Sequence, residues 1–554
     1  MKTIKKTKNG KKNSNPYVLI VAVLLFAIVI NAAVYAFSHI EGPSTYGDDA
    51  NYLWLANSVD NGSFLINPGY IFSVRLMQFM PIALFYKIFG FTLVGATFWD
   101  IMAYIGGILV TFMIGKFIYG YKEALLGAFL FSIFPVVTKF AVNTGEDVPL
   151  TFVSGLTILM FLYGERFQGL KGRIPYLVSG ILLVVAWLIG YEAGIIIAFV
   201  LLYGFIELFR RKIIIDGKAL FFVYGIILAF VVTFVFSYLN SHLAFATITV
   251  NNRFYSAIGS KVNNLPTIPT ANQNLDFYLE GMFPYGIVNI LLHGGGLGNA
   301  VHTVYNEVLT LPANDSDFGV YFYLFVIFAI VLLLYRDRSS YFFLAWFGVA
   351  FALLEFGPMH VGLGLNPIHV TYILAHRLRR FLMILAIPLV LVVSRGMFAL
   401  IKPKNRYFRF VGFAVFLTLI VFIYLTSSLL TNFWYYLQEQ QNGSTLAAGT
   451  YIRSLGSNVT VYVEDMQGPI ITAQGSDFPA FAGRPQSQNI VNVNSTELCS
   501  AYNPGSYVVW NGTKECSNWI NVYNISVTNL NQKTINEIGW YQIPYSPTNV
   551  YRVG

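Results

Sequence analysis

Eleven long apolar runs constrain this chain more than any other feature. They lie at about 17 to 37, 91 to 118, 123 to 140, 148 to 164, 174 to 190, 193 to 209, 219 to 239, 318 to 335, 341 to 356, 381 to 400 and 408 to 430. A bilayer core takes roughly 20 apolar residues per helical crossing, and backbone in lipid must satisfy its own hydrogen bonds. The runs therefore predict an α-helical polytopic membrane protein of about eleven transmembrane helices. Only 11% of the residues are charged, against about 25% in soluble domains.

Charge placement orients the helices. The tail MKTIKKTKNGKKNSNP carries six lysines ahead of the first run. That run is longer than the apolar core of a secretory signal, roughly 7 to 15 residues, so it is expected to stay as a first helix with a cytoplasmic basic flank. Alternate loops hold Lys122, then Arg166, Lys171 and Arg173, then Arg210, Arg211 and Lys212, then Arg336 and Arg338, then Lys402, Lys404, Arg406 and Arg409. All fall on the inner side, giving an N-in, C-out chain. Scattered in loops, the net charge of +9 forms no stripe of the kind that binds nucleic acid, and no nucleic-acid partner is expected.

The acceptor pattern N-x-[ST] gives an independent test. It occurs at Asn61, Asn314, Asn442, Asn458, Asn494, Asn511 and Asn524, every one on the outer side. Cys499 and Cys516 lie outside as well, where a disulfide between them is chemically permitted. Residues 1–16 read as a cytoplasmic basic tail, 17–430 as the membrane domain with external loops 39–90 and 240–317, and 431–554 as a small external α/β domain. Short β-type runs at 459–463, 506–510 and 522–527 support the last, and QEQQNGST at 438–445 reads as its linker.

Three outer clusters can carry chemistry. Asp48 and Asp49, with Tyr52, follow the first helix in STYGDDANYLW. Adjacent acids can divide labour, one taking a proton and the other orienting or holding a cation; a solvated loop exposing two acids is the other reading. Glu146 and Asp147 in NTGEDVPL precede Pro149, which equally describes a helix start with acids at the positive end of its dipole. Arg377, Arg379 and Arg380 in AHRLRRFLMILAIPL stand at an outer helix end against the positive-inside trend. Guanidinium forks suit phosphate, and snorkelling to the interface is the alternative. Arg75 adds a further external cation. HGGGLG at 293–298, flanked by His293 and His302, lacks a G-x-S-x-G partner and reads as a flexible loop. No P-loop, dinucleotide fingerprint or zinc motif occurs.

In order and topology these pieces resemble the GT-C fold, in its branch of polyprenyl-phosphate-sugar-dependent transferases that includes protein O-mannosyltransferases and lipid A aminoarabinose transferases. The matching residues are Asp48-Asp49-Ala50-Asn51-Tyr52, Arg75 through Lys87-Ile88-Phe89-Gly90, Asp147-Val148-Pro149-Leu150, and Arg380 with Pro388. The resemblance implies a membrane mannosyltransferase-like enzyme acting in protein or lipid glycosylation at the extracytoplasmic face of a plasma membrane or its ER equivalent. It implies a sugar donor on a dolichyl or other polyprenyl phosphate, a protein or lipid acceptor, inversion at the anomeric carbon and no required cofactor. In that scheme Asp48 is the general base and Asp49 its companion. Tyr52, Glu146 and Asp147 line the sugar site, and Arg75, Arg377 and Arg380 hold the lipid phosphate. The chain departs from the family pattern in having Asp as the second acid and a single, displaced Pro81.

Two other readings stand beside this one. An oligosaccharyltransferase-like enzyme would place a divalent cation, Mg or Mn, between the two acidic clusters; the W-W-D-Y-G string that marks that group is absent, the nearest run being Asn432-Phe433-Trp434-Tyr435-Tyr436. A non-enzymatic transporter or binding protein would instead use the acids in or near helices, Asp100, Glu192 and Glu355.

Overall fold

The computed structural model describes residues 16–40, 49–211 except 61 and 91, 217–253 except 218, 244 and 252, 318–356 except 319, 358–374 except 366–367, 379–455 except 403–404, 460–465, 490–494, 502–524 except 512–515 and 518, and 548–553. Each of the eleven apolar runs falls on a helix. Seven helices are long and apolar enough to cross a membrane: α1 (Pro16–Ser38), α4 (Leu93–Ile118), α7 (Asp147–Arg166), α8 (Leu170–Trp187), α10 (Leu220–Ser241), α13 (Ala386–Leu400, counted with the 3-10 turn before it) and α14 (Arg406–Ser454). The pair α5 (Tyr121–Ser132) and α6 (Pro135–Ala141) makes an eighth if taken as one span. The remaining runs fall on α9 (Ala193–Arg211), α11 (Tyr321–Leu334) and α12 (Tyr341–Phe356), whose apolar stretches are shorter. The predicted fold class, a polytopic helical bundle with a small C-terminal sheet, is borne out.

Local chemistry sets the breaks. The run at 123–140 bends by 58° between α5 and α6, because Pro135 cannot continue a helix and instead occupies a first-turn position. Two elements of the first external segment, α2 (Asp49–Asp60) and α3 (Leu76–Phe89), are joined by a 3-10 turn at Ile71–Val74. Gly90 ends α3 at φ 71°, in the left-handed region that favours glycine. Thr92 then caps α4 by accepting from the Gly95 N–H at 3.1 Å.

Lipid gives helices no hydrophobic reason to associate, so close packing has to hold them. The most enclosed span is α13 with its leading 3-10 turn (Arg379–Leu385), buried along nearly its whole length from Phe381 to Val393. A Cβ on Gly155 of α7 would lie 2.5 Å from Ile387 Cδ1, so this glycine lets the two helices meet.

The bundle has two distinct ends. Tyr17, near the start of α1, stands against Tyr121 with ring centroids 6.1 Å apart. At that same end the Tyr119 hydroxyl bonds Ser340 Oγ at 3.0 Å. Arg395 of α13 there donates to Asp337 Oδ2 and Glu123 Oε1, both at 2.7 Å. Burial alone would raise the Asp337 carboxyl; the Arg395 bond and those from Ser339 and Ser340 outweigh it and hold the group at about 2. Residues 119–123 and 336–340, assigned to one side by charge alone, are thus joined. The start of α4, the start of α7 and the turn between α8 and α9 lie at the opposite end.

Beyond the bundle, α14 is 49 residues long, roughly 73 Å at 1.5 Å per residue, more than twice a bilayer core. It runs through 438–445, which corrects the reading of that stretch as a linker: Leu437, Gln438, Glu439 and Gln440 are strong helix formers, and Gly443 costs only about 1 kcal/mol. The five-stranded sheet that follows has the order β4-β3-β5-β7-β6, with β3 (Val461–Asp465), β4 (Ile490–Asn494), β5 (Tyr507–Asn511), β6 (Trp519–Asn524) and β7 (Thr548–Val553). Neighbours β4-β3-β5 are parallel, and β5-β7-β6 antiparallel. Cys516 in its core is disulfide-bonded, and Cys499, the chain's other cysteine, lies outside the described residues. An antiparallel hairpin not anticipated from sequence, β1 (Pro358–Leu365) with β2 (Ile368–Leu374), precedes the 3-10 turn.

Candidate active site

At the end opposite Arg395, three separate stretches of sequence converge. The turn Ile71–Val74 delivers Arg75 to the N-cap position of α3, where its side chain is 10% exposed. Arg75 Nη1 lies 2.6 Å from Glu146 Oε1 and donates also to the Tyr52 hydroxyl. Tyr52, fully buried on α2, donates in turn to Glu146 Oε2 at 2.5 Å. The guanidinium is sandwiched between rings, 5.3 Å from the Phe72 centroid and 5.6 Å from that of Tyr191. Tyr191 contacts Phe381, with centroids 6.1 Å apart, tying the 3-10 turn of residues 379–385 to the same corner.

Glu146 occupies the N-cap position of α7 and makes no side-chain capping bond. Its carboxylate is turned to Arg75 and Tyr52 instead, so helix capping does not account for it. Asp147 is the acid of the first turn, where the helix dipole favours negative charge.

Around Gly145 the acids close in. A Cβ there would lie 3.6 Å from Asp147 Oδ2 and 3.7 Å from Asp49 Oδ1, so carboxylates from α7 and α2 border one small space. Gln78 Nε2 donates to the Gly145 carbonyl at 2.9 Å, pinning this loop to α3. Asp100, on the second turn of α4, is wholly buried and within electrostatic reach of Asp49, Asp147 and Glu146. Glu192, in the turn after α8, is buried beside Leu150. In a low-dielectric setting such a gathering of acids is costly unless a ligand, cation or proton answers it.

The structure thus brings together Asp49, Tyr52, Arg75, Glu146 and Asp147 of the residues selected from sequence. Asp48 and Arg377 lie outside the described residues, and of Arg380 only the backbone, in the turn ahead of α13, is described. His293, His302 and nearly all of the loop 240–317 also lie outside them. Gln78 and Tyr191 were missed by sequence reasoning; neither a neutral amide nor one tyrosine among 36 carries a signal. Asp100 and Glu192 were visible as acids in apolar surroundings, without anything to connect them to the other clusters. Among the described residues no three of His, Cys, Asp and Glu stand close enough to hold a metal ion.

A second feature begins one helical turn from Asp100. A cavity of about 720 Å³ lies between α1, α5 and α14, from Tyr17 and Lys122 at one end to Tyr35, Tyr104 and Asn432 at the other. The 18 residues from Tyr17 to Tyr35 correspond to roughly 27 Å of helix, close to the full thickness of a bilayer core. Its walls are mostly aliphatic and aromatic, with Ser132, Thr138, Ser427 and Thr431 near the outer end.

Residues 75–237 match the family model described as dolichyl-phosphate-mannose-protein mannosyltransferase, a stretch that opens on Arg75 and takes in Gln78, Asp100, Glu146, Asp147 and Glu192. A search of curated proteins finds no significant match. Among solved structures, ArnT from Cupriavidus metallidurans in the apo state is 10% identical, over 97% of this chain and 98% of that one, with a TM-score of 0.49. The same protein bound to undecaprenyl phosphate gives the same figures. The archaeal oligosaccharyltransferase AglB from Archaeoglobus fulgidus, in complex with an inhibitory peptide and a dolichol-phosphate, is 13% identical over 83% of this chain and 64% of that one, with a TM-score of 0.44. The family-model match over residues 75–237 agrees with the resemblance read from the motifs.

Proposed function

We propose that this chain, a membrane glycosyltransferase by the family match of residues 75–237, transfers a single sugar from a polyprenyl phosphate to a hydroxyl of a protein or lipid acceptor at the outer membrane face. The observation that carries the proposal is the convergence of Arg75, Tyr52 and Glu146 beside the Asp49 and Asp147 carboxylates. A buried cation fixed next to several acids is what displacement of a phosphate by a hydroxyl calls for.

The acceptor oxygen attacks the anomeric carbon as the bond from that carbon to the phosphate oxygen breaks, with inversion. The acceptor proton passes to a carboxylate of the first loop, and polyprenyl phosphate departs with the bonding pair. Asp48 takes the proton as general base, and Asp49 is its companion. Tyr52, Glu146 and Asp147 line the sugar site. Arg75, with Arg380 and Arg377, supplies positive charge where the departing phosphate gains negative charge. The hold of Glu146 and Tyr52 on Arg75 fixes the guanidinium before substrate arrives, so little reorganisation is left for the reaction. No step runs through a metal ion. The apolar cavity beside α1 suits the isoprenoid chain, being about a bilayer long where one acyl tail fills half that depth.

The test is transfer from radiolabelled polyprenyl-phosphate sugars in proteoliposomes, with a membrane and peptide extract as acceptor. Transfer should vanish in Asp48→Asn and ignore a chelator. Transfer abolished by chelation would favour the oligosaccharyltransferase-like reading with a divalent cation. Accumulation of a solute inside the vesicles with no glycosidic product would favour a transporter.

A further inference from the structure

The acids of the site are answered unequally. Glu146 has Arg75 and Tyr52. Asp100, by contrast, is wholly buried, and neither of its carboxyl oxygens has a hydrogen-bond partner among the described residues. Buried polar atoms are paired as a rule, and an unpaired one in a native structure calls for an explanation. Two further side chains at this end of the bundle share the condition. Gln78 spends its amide nitrogen on the Gly145 carbonyl, leaving Oε1 buried and unpaired. Thr144, directly before Gly145 and fully buried, has an unpaired Oγ1.

These atoms have one chemistry. The Asp100 carboxyl can accept and, when protonated, also donate; Gln78 Oε1 can only accept, and Thr144 Oγ1 can do either. What satisfies them must offer O–H groups that donate and accept on a compact frame. A phosphate, carrying acceptor oxygens, is the wrong partner, and an apolar chain leaves them orphaned. A polyol fits. The three side chains come from α4, α3 and the loop before α7.

We propose that Asp100, with Gln78 Oε1 and Thr144 Oγ1, forms the hydroxyl-recognition subsite for the glycosyl group of the lipid-linked donor and sets which sugar is accepted. This rests on the functional reading above and deepens it: Arg75 serves the phosphate, while Asp100, beside the sugar-lining Tyr52, Glu146 and Asp147, reads the sugar. Asp100 acts here as a specificity residue and takes no part in bond making. A site built to bond a hydroxyl discriminates strongly against a ligand that lacks it, because its own groups are then left unpaired.

The test is binding, measured on the full-length chain in nanodiscs. The probes are decaprenyl phosphate, its mannosyl, glucosyl, galactosyl and arabinosyl esters, and deoxy analogues of the best of these. Wild type should bind its preferred glycosyl lipid about tenfold or more tightly than bare decaprenyl phosphate, the scale of one or two hydrogen bonds. Asp100→Asn should erase most of that preference while affinity for bare decaprenyl phosphate stays within about twofold. Thr144→Val, which keeps the side-chain shape, should weaken the preference less and alter the ranking of deoxy analogues; it carries the test if Asp100→Asn does not fold. Undiminished preference in both variants would overturn the subsite and leave the transferase reading standing. A wild type that binds no polyprenyl phosphate, glycosylated or bare, would remove both. Stabilisation of wild type by Mn²⁺ or Ca²⁺, lost in Asp100→Asn with sugar preference untouched, would make this a cation site and overturn the proposal.

Discussion

The two ends of the bundle handle buried charge in opposite ways. At one, Arg395 bridges Asp337 and Glu123 at 2.7 Å each, with Ser339 and Ser340 completing Asp337. One cation meets two acids in part-exposed surroundings, and the network ties α5 and α13 to the connection between α11 and α12. At the other end Asp49, Asp100, Glu146, Asp147 and Glu192 are gathered almost wholly out of solvent, and Arg75 is ion-paired to Glu146. The first arrangement is what a scaffold needs. The second costs stability, and a fold retains such a cost where binding or catalysis depends on it.

Substitutions at the cations separate the two most sharply. Arg75→Met should reduce transfer by about a thousandfold, the upper range for removing one fixed charge from a transition state. It should also cost about 3 to 5 kcal/mol of stability, because the buried Glu146 carboxylate loses its counter-charge. Adding Glu146→Gln should return much of the stability and none of the activity. Melting temperature and single-turnover transfer, read on the same preparations, check both. Arg395→Met should cost about 2 to 4 kcal/mol, less than a fully buried pair since its side chain is 19% exposed. Transfer per folded molecule should stay within about twofold of wild type, the ordinary effect of a remote change. A large loss of transfer there would break the comparison.

The pH response offers a smaller, graded check. The folded Asp337 carboxyl sits at about 2, below the usual value of about 4. A lowered folded value stabilises the protein when the group is ionised. That contribution is therefore fully present above about pH 4 and is lost as pH falls towards 2. The melting temperature of wild type should fall over this window, and the Asp337→Asn protein should show a shallower slope there.

Much of the bundle was legible in the sequence because lipid imposes a simple rule: an apolar stretch of sufficient length must be a helix. That rule reads length and not continuity. Pro135 stands inside the run 123–140, and the 58° bend there leaves the run's apolar length unchanged. In the helical stretch 438–445, Asn442, Gly443 and Ser444 read as loop residues, while the better helix formers before and after them carry the helix through. At the site, local motifs marked Asp49, Tyr52 and Asp147 individually. They could not show that Arg75 pairs with Glu146, 71 residues away, since ion pairing across a bundle leaves no trace in spacing. The three carboxylates that Asp100 joins, Asp49, Glu146 and Asp147, come from α2 and the start of α7, a grouping with α4 that only packing reveals.

The central claim is that the acidic end exchanges stability for chemistry, and Asp49→Asn tests it most directly. Removing one negative charge from a crowded set should leave the melting temperature unchanged or raise it, while transfer from a polyprenyl-phosphate sugar, measured on the same sample, falls by about a hundredfold. Unchanged transfer, or a melting temperature that drops as it does in Arg395→Met, would mean that these acids are scaffold like those at the other end, and would contradict the account.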